Sequence, residues 1–267
     1  MSSTEPPREV PEYRVDELGP KTRRYCFVAF VIDEGEKIRR QIPQMTAFAD
    51  LVDVVIADGG SSDGSLDLPF LRANGVRALL TKGGPGKLSA QMRMAFDWAL
   101  AEGYDGVIVV DGNGKDDVSA LPDFVRLLDE GIDHIQGSRF VPGGHAINTP
   151  VSRLLGLRLL HAPLMTLATG RRHTDTTNGF RGYSSRLLSD PEVAVFRDVF
   201  QAYELHYHLD LEASRRFRTI ETPVTRRYPK GTAMPTKISP VRGNLLVLGT
   251  LLKAVTGRFR RRMGREG

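Results

Sequence analysis

A chain of 267 residues, 40% hydrophobic and 26% charged, is long enough to bury one full α/β domain and leaves little for a second, and its composition excludes disorder outside the ends. A single cysteine, Cys26, excludes a disulfide framework and fits a reducing compartment; lying inside an apolar run, it reads as a buried strand residue rather than a reactive thiol. The net charge of +5 is gathered in clusters, Arg226, Arg227 and Lys230 and the run Arg258, Arg260, Arg261 and Arg262, which suit the phosphate of a nucleotide, a nucleic acid or an anionic lipid without choosing among them.

Residues 1–22 have no apolar core, so they are expected to be a flexible segment, neither signal peptide nor spanning helix, ahead of a catalytic domain over 23–240. The first apolar run, 25–32, enters the acidic loop Asp33-Glu34-Gly35-Glu36 and a helix through Ile42. The second, 51–57, enters Asp58-Gly59-Gly60-Ser61-Ser62-Asp63-Gly64 and a helix near 66–74. A short strand at 76–80 leads to the loop Lys82-Gly83-Gly84-Pro85-Gly86-Lys87 and a helix over 88–101. The next strand, 106–110, enters Asp111-Gly112-Asn113-Gly114-Lys115 and a helix over 121–130. This strand, loop, helix rhythm predicts an α/β fold around a mostly parallel sheet, and every loop leaves the carboxyl end of a strand, the edge where open sheets bind ligands.

The second half predicts a strand at 135–140, a loop at 141–150, an apolar helix at 151–169, a polar segment at 174–183, a helix at 202–217 and a strand at 219–224. Residues 241–267 read as an amphipathic helix and basic tail, the helix broken by Gly249 and Lys253 and too short to cross a bilayer comfortably. Packing against the domain is the preferred reading for that helix, and seating at a membrane surface is the alternative.

Three features carry chemistry. Carboxylates at strand ends, Asp33 with Glu34, Asp58 with Asp63, and Asp111, can accept hydrogen bonds from a base or ribose or hold a divalent metal; singly, each is also a common turn or cap residue. Asp111 and Asn113 alternate along one face at the end of a rigid strand, a spacing that suits a metal bridging diphosphate oxygens and also an ordinary glycine turn. Gly83 to Lys87 opens a helix, where backbone N–H groups and Lys87 would attract an anion, although the spacing is not that of a Walker loop.

In this order the motifs resemble a family 2 glycosyltransferase, in particular the polyprenyl (dolichyl) phosphate hexose synthase branch. The residues that carry the resemblance are Asp33-Glu34-Gly35-Glu36 for an acidic first loop, Ala57 to Gly64 for DDGSxDG, DGNGKDDV from Asp111 for DxDxQxxP, and Gly137 to Phe140 for GSRF. Further on, Asp175 to Arg181 stands for D-x-x-(S/T)-G-F-R and Glu221 to Val224 for a Glu-(Val/Thr)-Pro-(Ile/Val) strand, so the likeness runs from about Arg24 to Lys237. It implies a GT-A, Rossmann-like three-layer fold with a mostly parallel mixed sheet, and inverting transfer of a hexose from a UDP- or GDP-sugar with Mg2+ or Mn2+. Asp33, Glu34, Asp58, Lys87 and Asp111 would bind the nucleotide; Asp111 and Asn113 would hold the metal. Arg139, Asp175, Arg181 and His208 would act at the sugar and acceptor, and Arg139, Arg226, Arg227 and Lys230 would hold phosphate. In the later helix the resemblance leaves Glu204 or His208 as the relevant group.

The sequence departs from the family at Gly59, where a second acid is usual, and at Asn113 and Lys115, where Asp and Gln are usual, which implies weaker metal binding with Lys115 partly substituting for a cation. A polyprenyl phosphate acceptor is favoured, at a membrane surface on the cytoplasmic face; a soluble hydroxyl acceptor, with Asp175 or His208 as base, is the alternative. A nucleotidyltransferase is disfavoured by the acidic first loop, and a nucleic-acid-binding module by the lack of interleaved aromatic and basic residues, so no nucleic acid partner is expected. Which sugar, which base and which oligomeric state are not legible.

Overall fold

The computed structural model describes residues 8–229 and 240–259, with side chains from 248 onward in the second stretch. In chain order the elements are β1 (Tyr13–Glu17), β2 (Tyr25–Val31), α1 (Glu36–Thr46), β3 (Asp53–Asp58), α2 (Leu68–Ala73), β4 (Ala78–Lys82), α3 (Leu88–Ala101), β5 (Gly106–Asp111), α4 (Leu121–Asp129) and β6 (His134–Ser138). There follow β7 (His145–Ile147), α5 (Val151–Gly156), a π turn (Leu157–His161), α6 (Ala162–Thr169), β8 (Arg181–Ser184), α7 (Ser185–Leu188), α8 (Glu204–Arg216), β9 (Thr219–Pro223), β10 (Thr225–Arg227) and α9 (Pro240–Val255).

Eight strands form one sheet in the order β1-β4-β3-β2-β5-β8-β6-β9, and β7 pairs with β10 beside it. β2 is buried along all seven residues, as expected of a strand covered on both faces. Its side chains alternate between two cores: Cys26, Val28 and Phe30 face α3 and α8, while Phe27, Ala29 and Val31 face α1 and α4. The result is three layers. β3, β4 and β5 run parallel to β2. β8 lies antiparallel between β5 and β6, so β6 and β9 point the same way as β2. All six parallel strands therefore end on one edge.

Three sequence expectations change here. Tyr13–Glu17, inside the segment expected to be flexible, is an edge strand paired antiparallel to β4. Strands at 76–80 and 135–140 shift to Ala78–Lys82 and His134–Ser138. β8, four residues with little apolar pattern, lies in the segment expected to be merely polar; its pairing partners on both sides supply what its own composition does not. Cys26 is fully buried, and burial pushes its thiol pKa up, consistent with an inert strand residue. α9 packs on α8, and Leu251, Ala254 and Phe259 join the core beside α3 and α8.

Candidate active site at the carboxyl edge of the sheet

The loops after β2 and β3 are laced into one unit. Ser61 donates to Asp58 through its backbone N–H at 2.9 Å and its hydroxyl at 2.6 Å, and accepts from the Asp33 N–H at 2.9 Å. Asp33, at φ 45°, accepts from the Ser62 N–H at 2.8 Å, and Asp63 accepts from the Gly35 N–H at 2.8 Å. Asp58 is buried and shapes the turn, whereas Asp33 is exposed and faces outward; Glu34 pairs with Lys37 at 3.0 Å. The lack of a second acid at Gly59 also has a packing reason: a Cβ there would stand 2.9 Å from Nε2 of Gln91, which ties β2 to β3 by donating to the Val31 and Ala57 carbonyls.

The loop after β5 is held as firmly. Gln41 of α1 donates to the Asp111 carbonyl at 3.0 Å and accepts from the Gly114 N–H at 2.8 Å. Gly112 is required because a Cβ would meet Val31 at 2.7 Å, and Gly114 because its φ is +68°. Asp111 thus stands one strand from Asp33 and two from Asp58, with Phe30 opposite Asp111 and Val31 opposite Asp58 across the ladders. These three carboxylates share one edge.

Arg226, from β10, crosses to this edge. Its guanidinium donates to Asp111 at 2.9 Å and to Asp116, and Asp116 also accepts from Asn178 at 3.3 Å. Burial works to raise the Asp111 carboxyl, but the Arg226 charge overcomes it and holds the group below the usual carboxylate range. Asp116, fully enclosed, is raised by burial and by its neighbour Asp111 against the pull of Arg226. Lys115 lies 5.4 Å from the Tyr228 ring, and burial followed by the like charge of Arg226 lowers its pKa. Arg153 donates to the Tyr228 hydroxyl at 3.2 Å, and Arg227 is exposed on the neighbouring rim with its N–H on the Lys115 carbonyl. Two carboxylates, Asp111 and Asp116, and four cations, Lys115, Arg153, Arg226 and Arg227, therefore gather at the Asp111 loop.

Five residues assigned from the sequence, Arg139, Asp175, Arg181, His208 and Lys87, are corrected by these positions. Asp175 is fully buried in a forked pair with Arg139, at 2.6 and 2.9 Å, so neither presents a free charged group to a substrate. Arg181 is equally buried, donating to Asp210 at 2.7 Å and to the Thr176 and Asn178 carbonyls, and acts as a girder under the Asp175 to Arg181 loop. His208 contacts the Val193 carbonyl through Nε2 at 2.7 Å and packs on Phe200; a carbonyl only accepts, so Nε2 carries its hydrogen and is not a base. Around Lys87, the N–H groups of Gly83, Gly84, Lys87 and Ser89 all donate to backbone carbonyls, so they do not form the expected anion cradle, and the Lys87 side chain is exposed. Glu204, the other candidate in that helix, accepts from the N–H groups of Gln201 and Ala202 and so holds the turn that leads into α8. Lys230, Arg260, Arg261 and Arg262 lie outside the described residues.

Residues that sequence reasoning passed over take their places. His206 is two positions before His208 on α8, hence about 200° round the helix, and interacts with Asp111, Arg181 and Asp210. Burial, then the Arg181 charge, pushes its pKa down to about 3, and its Nδ1 is buried without a partner. Asp116 was visible as the first acid after Lys115, and Tyr228 as the aromatic after the arginine pair; only the β10 crossing joins them.

The fit of a divalent metal can be judged from the donor set. No group of three or more His, Cys, Asp or Glu side chains that could hold a metal occurs among the described residues. Asp111 has one oxygen on Arg226, and Asn113 has its carbonyl oxygen on the Lys115 N–H at 3.2 Å. The other Asp111 oxygen packs over Gly179, where a Cβ would intrude to 2.7 Å. One carboxylate and one amide suit Mg2+ or Mn2+ only when phosphate oxygens supply most of the coordination, as is usual for Mg2+ at nucleotide sites.

The Rossmann-like sheet thus gathers acidic loops and a cluster of cations on its carboxyl edge, where open α/β sheets bind ligands. No family model matches the chain. It is 31% identical over 183 residues to an undecaprenyl-phosphate mannosyltransferase of Micrococcus luteus, covering 65% of this chain and 71% of that protein. It is 25% identical over 209 residues to a polyprenol monophosphomannose synthase of Mycolicibacterium smegmatis, covering 76% and 77%. Among solved structures, glucosyl-3-phosphoglycerate synthase of Mycobacterium tuberculosis in complex with Mg2+ and UDP superposes with a TM-score of 0.58 at 19% identity, over 88% of this chain and 80% of that one. The chain belongs to the family 2 glycosyltransferases and has their GT-A fold. The nucleotidyltransferase and nucleic-acid-binding alternatives give way to this membership.

Proposed function

We propose that the protein transfers a hexose, with inversion, from a UDP- or GDP-sugar to a polyprenyl phosphate. The observation that carries the choice of acceptor is the state of the base candidates. A hydroxyl acceptor needs a general base near the anomeric carbon. Asp175 is locked to Arg139, His208 donates to a carbonyl, and His206 has its pKa lowered to about 3. A phosphate acceptor is already an anion and needs none. The names of both relatives, an undecaprenyl-phosphate mannosyltransferase and a polyprenol monophosphomannose synthase, support the same reading.

In this mechanism Asp33, with Glu34 beside it, receives the nucleoside on the loop that Asp58 and Asp63 hold in shape. The diphosphate lies over the Asp111 loop, where Lys115 and Arg226 offset the negative charge that builds on the leaving group. Arg153 and Arg227 hold the acceptor phosphate on the opposite side of the sugar, and a phosphate oxygen forms its bond to the anomeric carbon as the bond to the diphosphate breaks. His206, neutral and with an unpartnered nitrogen, hydrogen-bonds the bound donor. Asp111 and Asn113 would hold Mg2+ or Mn2+, which supplies further positive charge to the diphosphate when bound. The solved neighbours bind Mn2+ or Mg2+ with UDP, which supports this requirement.

The test offers UDP- and GDP-hexoses with either a polyprenyl phosphate or the corresponding polyprenol. Lipid-linked hexose, read by mass spectrometry, is expected only from the phosphate. Transfer to the polyprenol or to a soluble sugar hydroxyl, with none to the phosphate, would refute the proposal.

A further inference from the structure

From His134 to Thr174 the chain contains no Asp or Glu but five arginines, Arg139, Arg153, Arg158, Arg171 and Arg172. Within this stretch, α5, the π turn and α6 form one helical arm about 28 Å long at 1.5 Å per residue. Its inner side is ordinary: Leu157, His161, Ala162 and Met165 are buried, and α6 packs on α8. Its outer side is not. Val151, Leu155, Leu159, Leu160 and Leu167 are 69%, 51%, 68%, 46% and 83% exposed. Nine large hydrophobic residues are exposed among the described residues, and these five share this arm. A surface helix normally turns a polar face outward, and one that is apolar on both sides is covered by something.

The surroundings say what covers it. Val151, Leu155 and Leu159 recur every four residues along one stripe, while Arg158, Arg171 and Arg172 are exposed on the same arm and just beyond it. Apolar side chains flanked by arginines, with no acid for forty residues, complement a bilayer surface carrying anionic headgroups. The arm also begins at the active-site mouth, since Arg153 donates to Tyr228 and both Arg158 and Arg139 lie against the Phe140 ring, at 5.1 and 5.2 Å. No helix among the described residues is long and apolar enough to cross a membrane.

We propose that the outer face of residues 151–169 is the membrane seat of this enzyme, inserting its leucines at the boundary of headgroups and acyl chains while Arg158, Arg171 and Arg172 engage lipid phosphates. Its use in catalysis, to hold the mouth against the surface from which a polyprenyl phosphate enters, rests on the proposed acceptor; the membrane binding itself does not.

The experiment is co-sedimentation of the full chain with vesicles of phosphatidylcholine containing phosphatidylglycerol, alongside the variant L155Q/L159Q/L167Q and the variant R171Q/R172Q. The wild type is expected to sediment with anionic vesicles, the leucine variant to bind at least about tenfold more weakly, and the arginine variant to lose most of its salt-sensitive binding. Because the substituted side chains are exposed, the melting temperature should stay within a few degrees of wild type, which separates lost binding from lost fold. Transfer to polyprenyl phosphate in vesicles should fall in the leucine variant, while transfer to a short, water-soluble prenyl phosphate stays unchanged. Equal vesicle binding by wild type and leucine variant overturns the seat. So does a dimer that the leucine substitutions dissociate, in the absence of vesicle binding, because the face then joins two copies. Vesicle binding that depends on the leucines, with no sugar transferred to either phosphate, leaves the seat standing and overturns the acceptor.

Discussion

At the scale of single residues, the candidate site turns on Arg226, which serves two carboxylates at once. Replacing it with alanine leaves Asp116 buried without its ion-pair partner, a change that typically costs about 3 kcal/mol or more, so a marked fall in melting temperature is expected together with loss of transfer. Asp111→Asn leaves Asp116 paired and the fold intact; turnover at saturating donor should drop by about 10²-fold or more, in keeping with lost stabilisation of charge at the leaving group, while circular dichroism stays unchanged. The two histidines of α8 make an internal control. His208→Gln should lower the melting temperature and leave turnover near wild type, whereas His206→Gln should lower turnover. The opposite pattern would return His208 to the active site. Metal binding belongs to this scale as well. With Asp111 half occupied by Arg226 and Asn113 by the Lys115 N–H, Mn2+ titrated by electron paramagnetic resonance should bind weakly to the free chain and tightly once a nucleoside diphosphate is present. Tight binding to the free chain would show that Asp111 and Asn113 suffice by themselves.

Among the elements, α9 is the one whose role the sequence left open between packing and membrane seating. Leu251 is fully buried against the α3 and α8 side of the core. Leu251→Ala should therefore destabilise the domain by about 2–5 kcal/mol, measured as a shift in the urea midpoint at constant slope. An unaffected midpoint would mean that α9 is not part of the cooperative fold. The arm of residues 151–169 is the converse case: an apolar pattern reads alike whether its partner is the domain or something outside it, and only the exposure of its leucines separates the two.

For the molecule as a whole, the polar interior predicts how stability responds to acid. His161, His173 and His206 have lowered pKa values, each because burial disfavours the charged ring. A histidine takes up its proton near pH 6.5 when unfolded but later, on acidification, when folded, so the unfolded chain binds more protons in between. Stability from these groups is fully present above about pH 6.5 and is lost as pH falls. For His206, with a folded pKa of about 3, the loss at pH 5 is about 2 kcal/mol. Asp210, lowered to about 2 by Arg181 and His134 against the effect of burial, adds its own loss only below about pH 4. The melting temperature should thus decline steadily from pH 7 to pH 4, and His206→Gln should flatten that decline. A flat wild-type profile over this range would contradict the burial of these rings.

Much of this architecture was already legible in the order of residues, because its signals are local. Short, continuous apolar runs such as Tyr25–Val31 read as strands covered on both faces, and the acidic, glycine-rich loops after them open on the carboxyl edge. The spacing of Asp33, Asp58 and Asp111 along successive strands followed from the same rule. What only the tertiary structure decided is which charged groups face a substrate and which face one another. Asp175 and Arg139, Arg181 and Asp210, and Arg226 with Asp111 and Asp116 stand 36, 29, 115 and 110 residues apart, and a charge in sequence carries no mark of the partner that will neutralise it. Burial and pairing are properties of the packed chain: they tie up all four side chains expected to be catalytic, Arg139, Asp175, Arg181 and His208, and bring His206, Asp116 and Arg153 to the candidate site instead.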